Sequence, residues 1–343
     1  MIKTRHLFSN ISLVSLLIAL PISLFFLSFL FGRYPVPIQI VIKVFMSKII
    51  PIETVWSSNL ETVIFKIRLP RIIACMLVGA GLSISGASLQ GLFRNPLVAP
   101  DILGVSSGAG FGAALGILLS FSSFQIQLFA FLFGILAVSL AYGISKVYSG
   151  TNTMLILILA GIVVSALFQS LISLTKYVAD PFEKLPAITF WLMGSFASVS
   201  VDELMIEGPL IVICTLILIL IRWRINILSL GEEEAEALGV NTKAFTIVIT
   251  ILVTLITASS VCISGIIGWV GLVIPHIGRM IIGPDYKKLL PVTLSIGATY
   301  LVLIDNITRT VTSGEIPIGI LTAVVGAPFF IWLILKSKVV AWA

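Results

Sequence analysis

Leu228-Ser-Leu-Gly-Glu-Glu-Glu-Ala-Glu-Ala-Leu-Gly-Val-Asn241 is a polar island in a chain that is otherwise mostly hydrocarbon. Four of the fifteen acidic residues, Glu232, Glu233, Glu234 and Glu236, fall within five positions. Such a cluster does not enter a lipid core, so it belongs in water between two spans. The pattern predicts a short helix. Ser229 or Gly231 can cap its start, the glutamates complement the positive N-terminal end of the helix dipole, and Gly239 suits a left-handed closing residue. Leu230, Ala235 and Leu238 are its apolar residues. A short capped helix that is apolar on one side can fit a groove on a soluble partner. A solvated acidic loop is the alternative, since charge runs are usually solvated faces.

Outward from that island, composition bounds the class. The chain has 343 residues, 58% of them hydrophobic and 10% charged, against about 25% charged in soluble domains. Lipid is therefore the solvent for most of it. A dispersed net charge of +6 fits basic loop ends better than nucleic-acid binding, which clusters its charge. Cys75, Cys214 and Cys262 lie inside apolar runs without metal-ligand spacing. Two histidines, His6 and His276, are too few for a metalloenzyme centre, and nothing in the sequence implies a cofactor.

A helical span needs about 20 apolar residues. Ten candidates result: 11–31, 62–90, 104–120, 124–146, 152–175, 207–222, 244–264, 269–283, 290–305 and 317–336. The fold expected is all-α, one polytopic membrane domain over 1–343. The first run follows a basic start and reads as a retained span. The second is too long for one straight crossing. The third, eighth and ninth are short, glycine-rich or interrupted, as in spans packed against protein. A short interfacial helix is expected near 188–196, anchored by Trp191. With both termini in the cytoplasm, Lys and Arg divide 12 inside to 9 outside. That bias is weak because Lys66, Arg68, Arg71 and Arg309 fall at the outer surface, where the rule disfavours them.

Gly104-Val-Ser-Ser-Gly108 matches the nucleophile pattern G-x-S-x-G. An intramembrane serine hydrolase would need His276 as base for Ser106. The alternative reads Gly104, Gly108 and Gly112, at i, i+4 and i+8, as a small-residue packing face. No G-x-x-x-x-G-K-[ST] occurs, so ATP has no P-loop here. Arg68, Arg71 and Arg309 can snorkel, or can face carboxylates on an external partner. Gly268, Gly271 and Pro275 break a span and offer a hinge. An ion-coupled carrier would need deep acids, for which Asp305 and Glu315 are the nearest candidates.

Several stretches together resemble the FecCD/BtuC-type permeases of ABC importers. They are Arg68-Leu-Pro-Arg71, Gly79-Ala-Gly-Leu-Ser-Ile-Ser-Gly86, Gln90-Gly-Leu-Phe-Arg-Asn-Pro-Leu97 and Pro100-Asp-Ile-Leu-Gly-Val-Ser-Ser-Gly-Ala-Gly110. The series continues with Trp191-Leu-Met-Gly-Ser195, Leu228-Ser-Leu-Gly-Glu232 and Gly268-Trp-Val-Gly-Leu-Val-Ile-Pro-His-Ile-Gly-Arg279, then Ile316-Pro-Ile-Gly319 and Gly326-Ala-Pro-Phe329. The resemblance implies ten helices per subunit and no bond chemistry in this chain. It implies a second permease subunit, two cytoplasmic ABC ATPases and an external substrate-binding protein, in a cell membrane. It matches Gly231–Leu238 to the ATPase-coupling helix and Arg68, Arg71 and Arg309 to the binding-protein contacts. Iron–siderophore is the leading cargo it implies, with vitamin B12, haem and an oxyanion such as molybdate open.

Overall fold

The computed structural model describes residues 10–32, 34–51, 56–147, 153–312 and 314–336. Lys3, Arg5 and Lys338, part of the charge bias, lie outside them. Helices α1 (Asn10–Ser28), α2 (Ile38–Met46) and α3 (Ser58–Thr62) lead through a π turn, Val63–Arg68, into α4 (Leu69–Leu92). A 3-10 turn, Pro100–Leu103, precedes α5 (Val105–Leu118), α6 (Ser123–Val147), α7 (Thr153–Val178), α8 (Lys184–Met193) and α9 (Val201–Leu220). Then come α10 (Arg222–Leu228), α11 (Glu232–Ala237), α12 (Thr242–Ser264), α13 (Val270–Ile282), α14 (Tyr286–Val311) and α15 (Ile318–Lys336). Among the described residues there is no strand. Among the same residues, six helices are long and apolar enough to cross a membrane, and four shorter apolar ones stand at the remaining expected positions.

The Ser58–Leu92 run is the hub, packing against α9, α12, α13 and α14. Its most apolar stretch is 78% buried, against 33% for those of α6, α7 and α9, whose apolar outer faces stand exposed. The run is continuous over 35 residues because the π turn absorbs an extra residue without ending it. Close approach explains its composition. A Cβ on Gly79 would lie 2.2 Å from the Gly297 carbonyl oxygen of α14, and one on Gly86 1.8 Å from that of Gly271 in α13. Any side chain there would force the helices apart.

Some boundaries differ from those read in sequence. The ninth span is not short: α14 runs 26 residues, because Asp305, Asn306, Thr308 and Arg309 are buried and hydrogen-bonded rather than interrupting the helix. The sixth starts earlier, where Ser200 and Glu203 form a capping box. The helix expected at 188–196 is α8, which ends at Gly194 with φ +75°. The seventh and eighth spans are separated upstream of Pro275, at 265–269, where Gly265 and Trp269 both take positive φ. Helix α13 then continues through Pro275 to Ile282.

Candidate functional site

Two clusters sit at opposite ends of α4, whose 24 residues span roughly 36 Å at 1.5 Å per residue. At one end is the acidic segment. Helix α11 holds six residues, Glu232–Ala237. Gly231 is its N-cap with φ +152°, and no side-chain cap is made. Gly239, φ +77°, closes it, while its N–H donates to the Glu236 carbonyl and the Val240 N–H to that of Ala235. Thr242 Oγ1 donates to Glu236 Oε1 at 2.9 Å, fastening α11 to α12. Ala235 is fully buried, whereas Leu230 and Leu238 are 59% and 58% exposed. Glu232, Glu233 and Glu234 are exposed beside them. The segment is thus anchored on one side and presents leucine and carboxylate on the other.

At the other end, Arg71 and Arg309 share one carboxylate. Arg71 donates from Nε to both oxygens of Asp305, at 3.0 and 3.1 Å, and from Nη2 at 2.8 Å. Arg71 also pairs with Glu315, at 2.9 Å. Arg309 Nε lies 3.1 Å from Asp305 Oδ2, and its Nη2 donates to Ser28 Oγ and to Asn306 Oδ1. Arg68 donates to the carbonyls of Phe29 and Tyr34 beyond the end of α1, where a cation suits free carbonyls. The three arginines are 4–6% exposed. The sequence singled them out as exposed cations; the structure brings them together but turns them inward. Asp305 and Glu315, considered as free acids of a carrier, are the arginines' partners. Asp305 and Glu315 were weighed only as a carrier's acids, and Asn306 was not singled out, so the network did not emerge from the sequence.

Gly108 and Gly112 do form a packing seam. A Cβ on either would come within 2.4 Å and 2.3 Å of the Phe133 and Phe129 carbonyl oxygens of α6. Gly104 is not on it. It caps α5 with φ +89° and faces α7, while Gly116 continues the row against Ile126. Gly268 has open space around it, and Gly271 lies against Pro100 and the Leu82 carbonyl. Ser106 Oγ donates to Asp101, and His276 Nε2 sits 3.1 Å from the Pro96 carbonyl. The hydrolase's serine and base are therefore engaged elsewhere. No group of three or more metal-ligating side chains occurs among the described residues.

A hub helix packed through glycine, apolar helices with exposed outer faces and an anchored, exposed acidic loop helix define a polytopic membrane protein. The profile of the FecCD transport family matches residues 17–336, and the chain belongs to that family. It is an ABC importer permease. It is 44% identical to the molybdate import system permease protein MolB of Haemophilus influenzae over 307 residues, 90% of each chain. It is 41% identical to a probable iron chelatin transport system permease protein of Helicobacter pylori, over 82% of this chain and 85% of the other. A solved ABC transporter assigned to the metal-chelate type, in an inward-facing conformation, superimposes with a TM-score of 0.85. It has 41% identity and covers 95% of this chain and 100% of that one.

Proposed function

We propose that this chain is a passive gate for an oxygen-rich anionic cargo, opened by a separate ATPase that grips the α11 segment. The observation that carries this reading is the division within that segment, with Ala235 sunk in the protein while Leu230 and Leu238 stand exposed beside three glutamates. Exposed leucines flanking a short, charged helix supply an apolar anchor and a polar rim, which is how a helical segment fills a groove. The ATPase holds Gly231–Gly239 on the cytoplasmic side, where both termini also lie. Two copies, or this chain and a homologous one, form the pore. The chain itself breaks no bond.

Arg68, Arg71 and Arg309 form the footing of the external binding protein's docking surface. Arg71 and Arg309 stand against the two carboxylates of Asp305 and Glu315, and Arg68, held on the carbonyls of Phe29 and Tyr34, leaves one net positive charge beneath that surface. They hold its shape and supply its field, and carboxylates on the partner read that field. Gly108, Gly112, Gly271 and Pro275 keep α5 and α13 close enough to their neighbours to tilt as bodies, with Gly104 and Gly268 at the joints.

Two cargoes suit the reading. Molybdate is favoured by the relative that covers more of both chains, and the iron–siderophore of the sequence expectation by the chelatin relative. Uptake of radiolabelled molybdate and of a labelled ferric chelate by the reconstituted transporter separates them. For the gate itself, capture of the ATPase by Leu238→Asp and by the Glu232–Glu234 charge reversal is the test. The reading expects both to lose it; capture at the wild-type level by both contradicts it.

A further inference from the structure

Pro275 lies inside α13 and has no N–H to give the carbonyl four residues back, that of Gly271. An orphaned buried carbonyl is costly unless another donor reaches it. The donor comes from another helix. Gln90 Nε2, on the last turn of α4, donates to the Gly271 carbonyl at 3.3 Å and to that of Val98 at 3.2 Å. Its Oε1 accepts from Arg279 Nη2, two turns further along α13. One fully buried amide thus spans the proline break, held to α13 on both sides of it.

The neighbouring residue leads to the acidic segment. Gly91 is pressed between Ile225 of α10 and the ring of Tyr286 of α14, each 2.9 Å from where its Cβ would be. Asn226 Oδ1 accepts from the Tyr286 N–H at 2.9 Å, joining α10 to the start of α14. Helix α10 runs into α11 after three residues and packs against it, against α4 and against α14. A push on α11 is therefore received by α10, and α10 touches α4 one residue from Gln90.

We propose that Gln90 is a positioning residue that ties the proline-broken helix α13 to the displacement of α11, received through the Asn226–Tyr286 joint. The proposal rests on α11 being the ATPase contact. A helix with an intact bond ladder resists bending; one whose missing bond is supplied by a neighbouring helix bends when that neighbour moves. Gln90 makes α13 responsive to α10.

The test uses the whole transporter, with its ATPase and binding protein, in proteoliposomes. The variants are Gln90→Leu, Gln90→Glu, Asn226→Leu and Asn226→Asp. Three things are read: ATPase capture, stimulation of hydrolysis by the binding protein, and nucleotide-dependent hydrogen exchange of 270–282. Both leucine variants should capture the ATPase yet lose stimulation by about tenfold, a coupling loss of ordinary size. Their α13 exchange should no longer respond to nucleotide. Asn226→Asp keeps the acceptor and should respond as wild type. Gln90→Glu keeps the Arg279 bond and loses the donor to Gly271, so exchange should rise around Pro275. Stimulation and exchange unchanged in both leucine variants would overturn the proposal. So would loss of capture in both, which would make Gln90 a folding residue. Failure of the α11 reading looks different: the Leu238→Asp variant would then still capture the ATPase.

Discussion

Asp305→Ala is the most informative single change at the arginine end. The Asp305 and Arg71 side chains are 2% and 7% exposed. The carboxylate takes contacts from two guanidiniums, three of them from Arg71 at 2.8–3.1 Å. Removing one member of a buried pair costs about 3–5 kcal/mol, because the other is left charged and dry. Here the loss is softened. Arg71 retains Glu315, itself 29% exposed, and Arg309 retains Ser28 and Asn306. We expect the lower end, about 3 kcal/mol, a large share of a typical total of 5–15 kcal/mol. The assay is reversible unfolding in mixed detergent micelles, titrated with dodecyl sulfate and followed by helical circular dichroism. Arg71→Met should cost less, since Asp305 keeps Arg309. Asp305→Ala combined with Arg71→Met should cost less than the sum of the two single changes by about 1–3 kcal/mol, as for residues sharing one network. A loss under about 0.5 kcal/mol for Asp305→Ala, or strict additivity in the cycle, would refute the description of a shared, desolvated network.

Other changes probe the remaining elements. Gly86→Val should fail to accumulate in membranes or unfold far more readily, because its Cβ would sit 1.8 Å from the Gly271 carbonyl; accumulation and stability at the wild-type level would contradict the α4–α13 approach. Gly239→Val should weaken ATPase capture while Gly239→Asn keeps it, since space is open there and only the φ of +77° discriminates; equal capture by both would show that closure of α11 does not matter. Arg68→Glu and Arg309→Glu should lower affinity for the binding protein and flatten its salt dependence; unchanged affinity and slope would remove the docking role.

The ten apolar segments and the acidic helix were legible because lipid and water impose opposite compositions. Gly239 could be assigned in sequence since a left-handed closing residue favours glycine, whereas the start stayed open between Ser229 and Gly231, of which the structure uses Gly231. The inward turn of Arg71 was not legible, because its partners Asp305 and Glu315 lie 234 and 244 residues away, and Arg309 is drawn in by Ser28, 281 residues away, as well as by Asp305 on its own helix. Hydropathy likewise shortened α14, where buried pairs compensate the polar residues it penalises. The glycine row was right in kind but wrong at one end: Gly104 starts a helix in a left-handed conformation, which spacing alone does not reveal. Pro275 was read as a break in a span, but Gln90 bridges the missing bond from another helix, and no local pattern announces such a donor.

The central claim is that energy reaches this chain from a partner that hydrolyses ATP. The direct measurement is cargo uptake into sealed vesicles, with labelled molybdate and labelled ferric chelate in parallel, by the chain alone and by the assembled transporter. The account predicts accumulation only when ATPase, binding protein and ATP are all present. Accumulation by the chain alone under an imposed ion gradient would contradict it.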